Sequence, residues 1–269
     1  MEENQVQRTS RGAEDEQKEA RQSIEEKKQI PERRSVRRET KKYEIDMCSG
    51  PILPKLCTFF LPLMLSGVLQ LLFNAVDVVV VGRFSGNQAL AAVGSTTALI
   101  NMLINFFIGI SLGTNVMTAR YMAARQNEEL SEIVHTSITV ALAAGIGAAL
   151  MGVFLSKPLL ALMATPESVI GQSILYMRIY FCGMPFFMLY NYGAAILRAV
   201  GDTRRPLFFL MIAGCVNVIL NLIMVIVFQL GVAGVAIATV VSQLISCILV
   251  LRVLMTTDEP YHISLSGLR

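Results

Sequence analysis

Asn74-Ala75-Val76-Asp77-Val78-Val79-Val80-Val81 sets one carboxylate inside a run apolar enough to cross a bilayer. A helix of about 20 apolar residues spans a hydrocarbon core about 30 Å thick, and the run from about 56 to 81 meets that length. An aspartate at the centre of such a helix costs about 2.5 to 3.5 kcal/mol on insertion scales, so an acid kept there reads as an ion or proton site. No other apolar run carries an acid in its interior.

Working outward, the pattern repeats. Apolar runs lie at about 56–81, 90–118, 132–155, 169–196, 207–229 and 232–254, separated by short polar breaks. Water is absent from a bilayer core, so every backbone N–H and C=O must be paired within its own segment, which predicts helices throughout. The expected fold is an all-α integral membrane protein, a six-transmembrane-helix bundle over residues 47–255. Composition agrees: 54% of the chain is hydrophobic and 16% charged, too apolar for a soluble domain. Charge concentrates in residues 1–46, with 12 Lys+Arg and 12 Asp+Glu. That stretch cannot build a core, and a disordered or loosely helical cytoplasmic arm is expected. Arg33-Arg34, Arg37-Arg38 and Lys41-Lys42 could touch anionic lipid, though interspersed glutamates favour a solvated arm. The first residues are polar and carry no short apolar core, so no cleaved signal is expected and the first span directs insertion.

Orientation follows from the basic residues flanking the spans. Lys55, Arg120, Arg125, Arg198, Arg204, Arg205 and Arg252 fall on the side of the chain termini; Arg83, Lys157 and Arg178 fall on the other. The positive-inside rule then puts both termini in the cytoplasm. Arg178 lies inside the nominal fourth span, and its long stem is expected to reach the outer interface. The breaks have local causes: Gly82 to Asn87 holds two glycines, Ser156-Lys157-Pro158 and Thr165-Pro166-Glu167 flank an expected interfacial stretch, and Gly201-Asp202-Thr203 precedes Pro206. Gln229-Leu230-Gly231 is the tightest turn, which predicts a helical hairpin of spans five and six.

Polar residues inside the spans recur at helical spacing. Gln70, Asn74 and Asp77 share one face of span one; Asn217 and Asn221 share a face of span five, as do Thr239 and Gln243 of span six. Converging, they would offer a carboxylate, amide oxygens and a hydroxyl, the hard ligands a sodium ion or a proton-carrying water needs. Interhelical hydrogen bonding without an ion is the alternative. Pro62 removes a backbone bond one turn into span one, predicting a kink that is either static or a hinge. Asn101 and Asn105 of span two, with Tyr176, Tyr180, Tyr190, Asn191 and the Met184 to Met188 segment of span four, are candidate cavity residues. Aromatic and Met side chains suit loosely specific recognition of flat or cationic organic molecules, while core packing is the ordinary use of such residues. Gly109 and Gly113 make a GxxxG, a weak sign of close helix contact.

Enzyme chemistry is not expected. Cys48, Cys57, Cys182, Cys215 and Cys247 show no CxxC spacing, His135 and His262 have no ligand neighbours, and no GxxxxGK[ST] loop occurs. Transport would therefore draw on an ion gradient or a partner, with no cofactor and no nucleic acid involved.

These residues resemble the multidrug and toxic compound extrusion (MATE) transporters, in particular their DinF-like bacterial and archaeal branch, over about Pro51 to Met255. Pro62-Leu63-Met64, Gln70, Asn74-Ala75-Val76-Asp77 and Val81-Gly82-Arg83 are similar to the family's first-helix pattern. Leu197-Arg198-Ala199-Val200-Gly201-Asp202-Thr203-Arg204-Arg205-Pro206 resembles its LRGxGDTRxP loop, and Asn217 to Asn221 and Gly234 to Thr239 resemble the segments that follow. The resemblance implies export of small organic, often cationic, substrates across the plasma membrane by antiport against protons or sodium, with the coupling ion at Asp77, Asn217, Asn221 and Thr239. Members with the best-described cation site carry an aspartate at the position of Asn221, so one carboxylate remains here and a proton, or a weaker sodium site, is expected. The family has two six-helix lobes; this sequence resembles the first, with 256–269 as the start of an inter-lobe linker, and a truncated record or a self-associating half-transporter would account for that. The competing expectations are a lipid-linked saccharide flippase, which needs a strongly cationic cavity, and a non-transporting membrane interaction protein, which would be indifferent to Asp77.

Overall fold

The computed structural model describes residues 52–257 and 259–263. The charged arm expected over residues 1–46 and the end of the expected linker lie outside the described residues. The chain divides into two compact units, residues 1–42 with 257–259 and residues 43–256 with 260–269. Of the first, the described part is a turn in which the Glu259 N–H donates to Thr257 Oγ1 at 3.4 Å.

The second unit is a helical bundle. Its elements are α1 (Ile52–Phe84), α2 (Gly86–Ala123), α3 (Asn127–Leu162), α4 (Glu167–Cys182), α5 (Met184–Ala199), α6 (Arg204–Leu222), which runs on as a π-helical turn (Ile223–Val227), and α7 (Gly231–Thr256). Among the described residues five helices are long and apolar enough to cross a membrane alone, and α4 with α5, bent by 46°, makes a sixth span when the pair is taken as one. At about 1.5 Å per residue the 36 residues of α3 reach about 54 Å, well beyond a hydrocarbon core of about 30 Å.

Three expectations change here. The fourth span, expected as one helix over 169–196, is broken at Gly183. Pro185 has no N–H for the carbonyl four residues back, and its ring would collide with that carbonyl, so the chain restarts as α5. Phe186 and Phe187 N–H both donate to the Gly183 carbonyl, at 3.1 Å. The interfacial stretch expected from Ser156 to Glu167 is mostly helix, because α3 continues through Pro158 to Leu162. There the proline removes only one bond near a helix end. Span five ends in a π-helical turn that no residue pattern announces.

Small residues set the packing. Lipid tails are as apolar as leucine, so membrane helices associate through close fit, interhelical hydrogen bonds and lipid entropy, with little hydrophobic drive between them. A Cβ on Gly145 would lie 2.5 Å from the Pro185 Cα, on Gly152 2.0 Å from the Phe181 ring, and on Gly193 2.3 Å from Val250. These notches draw α3, α4, α5 and α7 together. Consequently α5 is buried along most of its length, between two apolar clusters, one around Phe181, Met184, Met188 and Tyr192, the other around Leu197, Val250, Leu254 and Tyr261. By contrast, Gly109 and Gly113 of the GxxxG have open space where a Cβ would stand, so they make no close contact in this structure.

The loop between α5 and α6 shows why its sequence is built as it is. Gly201 adopts φ +91°, which closes α5 with Gly201 N–H on Arg198 O at 3.0 Å and Asp202 N–H on Leu197 O at 2.9 Å. Asp202 Oδ1 then accepts the Arg205 N–H at 3.1 Å, and Oδ2 pairs with Arg205 Nε at 3.2 Å, holding the first turn of α6. Pro206 follows within that turn, where its missing N–H has no helical partner to lose. Spans five and six pack as the expected hairpin, with Gln229 and Gly231 both at positive φ in the turn. α1 crosses as one unbroken helix through Pro62, whose carbonyl accepts the Ser66 hydroxyl at 2.8 Å.

Candidate functional site

Seating of α1 against α6 places the lone acid. Phe73 lies over Gly214, where a Cβ would fall 1.9 Å from the ring, so only a glycine lets α1 approach this closely. One turn further along α1, Asp77 meets Asn221. Asn221 Nδ2 donates both to Asp77 Oδ1 and, at 3.2 Å, to Asn217 Oδ1. Asn217 Nδ2 in turn donates to Thr239 Oγ1 at 3.4 Å, and that hydroxyl donates to the Val235 carbonyl at 2.9 Å. Asp77, Asn221, Asn217 and Thr239 thus form one hydrogen-bonded chain across α1, α6 and α7. Asn221 Nδ2 is its branch point, donating back to the carboxylate and forward to Asn217, and the carboxylate itself has a hydrogen to donate only when protonated.

The chain borders a cavity of about 560 Å³ between α1, α2, α4, α5, α6 and α7. Gln70, Asn74 and Asp77 line it from α1, and Asn101 and Asn105 from α2. Tyr190, Asn217, Thr239 and Gln243 complete its polar wall together with Tyr176 and Tyr180, whose rings lie 6.1 Å apart. Among the described residues, Asp77 is the only charged one lining it. A strongly cationic cavity, which a saccharide-phosphate flippase needs, is therefore not what these residues build.

Not every candidate reaches this space. Asn191 is not among the residues lining the cavity; it donates to the Phe187 carbonyl of its own helix at 2.8 Å, a local bond made without a partner helix. Asn221 is fully buried behind Asp77, so it orients the carboxylate without forming part of the cavity wall. Tyr190 does line the cavity, with its hydroxyl donating to Pro206 O at 3.3 Å. Thr97 and Ser242 line it and were missed. The signal for Thr97 was present, four residues before Asn101 on the same face.

Two buried acceptors, Asn221 Oδ1 and Gln243 Oε1, have no hydrogen-bond donor among the described residues. A buried unpaired acceptor is costly, and an amide oxygen beside a carboxylate is the chemistry that suits a monovalent cation or a protonated acid. The donor set is compatible with such an ion.

The MatE family model matches residues 62–223. The chain belongs to the MatE family. The probable multidrug resistance protein YoeA of Bacillus subtilis (strain 168) is 34% identical to it over 206 residues, covering 75% of this chain and 44% of that protein. YpnP, another probable multidrug resistance protein of Bacillus subtilis (strain 168), is 31% identical over 198 residues, covering 74% and 44%. In three dimensions this MatE chain is similar to a crystal structure of MATE in the bent conformation, with TM-score 0.74 and 25% identity over 79% of this chain and 47% of that one. This MatE chain spans less than half the length of the curated relatives it matches. The match confirms the all-helical membrane fold and the expected family.

Proposed function

We infer that this chain supplies the ion-coupling half of a secondary transporter that exports small organic molecules in exchange for protons or sodium ions. The observation that carries the reading is Asp77: among the described residues the only charge lining a cavity of about 560 Å³, and the end of a hydrogen-bonded chain through three helices. An acid so placed inside a span is rarely retained for packing.

In the cycle, ionised Asp77 attracts a cationic or amphipathic substrate into an aromatic and amide-lined cavity. Uptake of a proton or sodium ion neutralises the carboxylate and removes that attraction. Asn221 holds Oδ1, and among the described residues no side chain donates to Oδ2, which leaves that oxygen for the exchanged ion. Neutralisation loosens the link from α1 to α6, Pro62 changes the bend of α1, and the cavity narrows on the substrate. One carboxylate with amide oxygens favours a proton over tight sodium binding. The related multidrug resistance proteins support the substrate class. The transporter works in the plasma membrane with both termini cytoplasmic, and pairs with a second six-helix lobe or a second copy.

The test is Asp77→Asn in the complete protein, reconstituted into vesicles. The expected outcome is loss of gradient-driven efflux of a cationic dye with unchanged membrane insertion. Efflux at the wild-type rate would refute the reading.

A further inference from the structure

Arg178 is the one basic residue set deep within an apolar run, and the cavity makes no use of it. Its Nε donates to the Val153 carbonyl at 3.2 Å and to Ser156 Oγ at 3.2 Å, so α4 is tied to α3 by the inner edge of the guanidinium. Ser156 is fully buried, while Arg178 itself is exposed. With Nε fixed, the two terminal nitrogens form a fork whose direction is set by the helices and not by side-chain freedom. Among the described residues no carboxylate pairs with it. The nearest acid on its own helix is Glu167, eleven residues and about 16 Å away along the axis.

Lys157 is the next residue of α3 after this contact. It follows Ser156 directly and lies one turn beyond Val153, so it shares the α3 face on which Arg178 rests. Helix side chains lean toward the N-terminus of their helix, which carries the Lys157 stem back over the turn that Arg178 contacts. Lys157 is exposed as well. Helix spacing therefore puts Lys157 within reach of the α3 turn that holds Arg178, where the apolar run of α3 ends.

The surroundings identify the ligand. No residue of α3 lines the cavity, so this flank is separate from the substrate site. Phe154 is 72% exposed, Leu155 41%, and Leu175, one turn before Arg178 on the same α4 face, 47%. A free anion would gain nothing from such side chains, whereas acyl chains would lie against them. A fixed guanidinium fork matches a phosphate bidentately, and a lysine adds a point charge.

We propose that Arg178 and Lys157 form a binding site for an anionic phospholipid, with the phosphate on the guanidinium fork and the acyl chains along Phe154, Leu155 and Leu175. The bound lipid neutralises an arginine that would otherwise face the bilayer and clamps α4 to α3 on the side away from the cavity.

Native mass spectrometry of the complete purified protein, taken from bilayers holding equal parts phosphatidylglycerol and phosphatidylcholine, tests this. The wild type should retain phosphatidylglycerol selectively, and Lys157→Gln should lower that retention about fivefold, as expected for one basic residue at a membrane surface. Lys157 makes no hydrogen bond among the described residues, so this variant leaves the fold intact. Arg178→Lys, which keeps the charge but loses the fork, should lose selectivity further. Equal retention of the two lipids by the wild type, or retention that neither substitution changes, overturns the proposal. Full displacement of the lipid by excess inorganic phosphate overturns it too, because the acyl contacts would then contribute nothing.

Discussion

Asn221 decides what kind of ion site Asp77 is. Its single amide nitrogen bridges Asp77 Oδ1 and Asn217 Oδ1, so a neutral residue stands where a second carboxylate would touch the first. Two adjacent carboxylates must share a proton or hold a cation between them. Asn221→Asp should therefore make the site responsive to sodium: the purified protein should melt at a rising temperature as sodium chloride replaces potassium chloride, by a linkage the wild type shows weakly or not at all. Equal melting in the two salts would show that the carboxylate count does not set ion choice. The importance of Asp77 was legible in the sequence because the cost of burying a charge in lipid needs no partner to be noticed. The pairing of Asn221 with it was not, since spacing fixes the face of one helix and says nothing about its register against another. Asn191 illustrates the reverse: it lies on a helix as expected, yet it bonds its own backbone and does not line the cavity.

Between elements, the seat of α1 on α6 is what couples ion and cavity. Gly214→Ala would put a Cβ within 1.9 Å of the Phe73 ring, so the ring or the whole of α1 must move. Overpacking of this kind costs about 1 to 3 kcal/mol. The expected result is lower thermal stability and slower ion-driven efflux, both partly restored when Phe73→Leu is added, a non-additivity that a double-mutant cycle would measure. Independent, additive losses would mean that the contact does not transmit. Sequence reading found the helices here by their apolar length but joined α4 and α5, because the run across Gly183, Met184 and Pro185 is uninterrupted in hydropathy. The break lies in backbone chemistry, a proline with no N–H two residues after a glycine packed against Val240.

For the whole molecule, the distribution of basic residues predicts a direction in the membrane. With Lys157 expected outside and Arg125 inside, cysteines placed there should differ in access. In intact cells expressing the complete protein without its native cysteines, a membrane-impermeant thiol reagent should label Lys157→Cys but reach Arg125→Cys only after permeabilisation. Labelling in the opposite order would invert the assignment and, with it, the side from which substrate is loaded.

The sequence by itself determined the membrane solvent, the helices, the family and the one acid, because length, hydropathy and the cost of a buried charge are properties of single segments. Only the tertiary structure decided that Asp77 reaches Asn221, that Asn191 does not line the cavity and that Arg178 locks onto α3. Each of those depends on how closely two helices approach, which rests on glycine notches and side-chain rotamers whose effect no single segment contains.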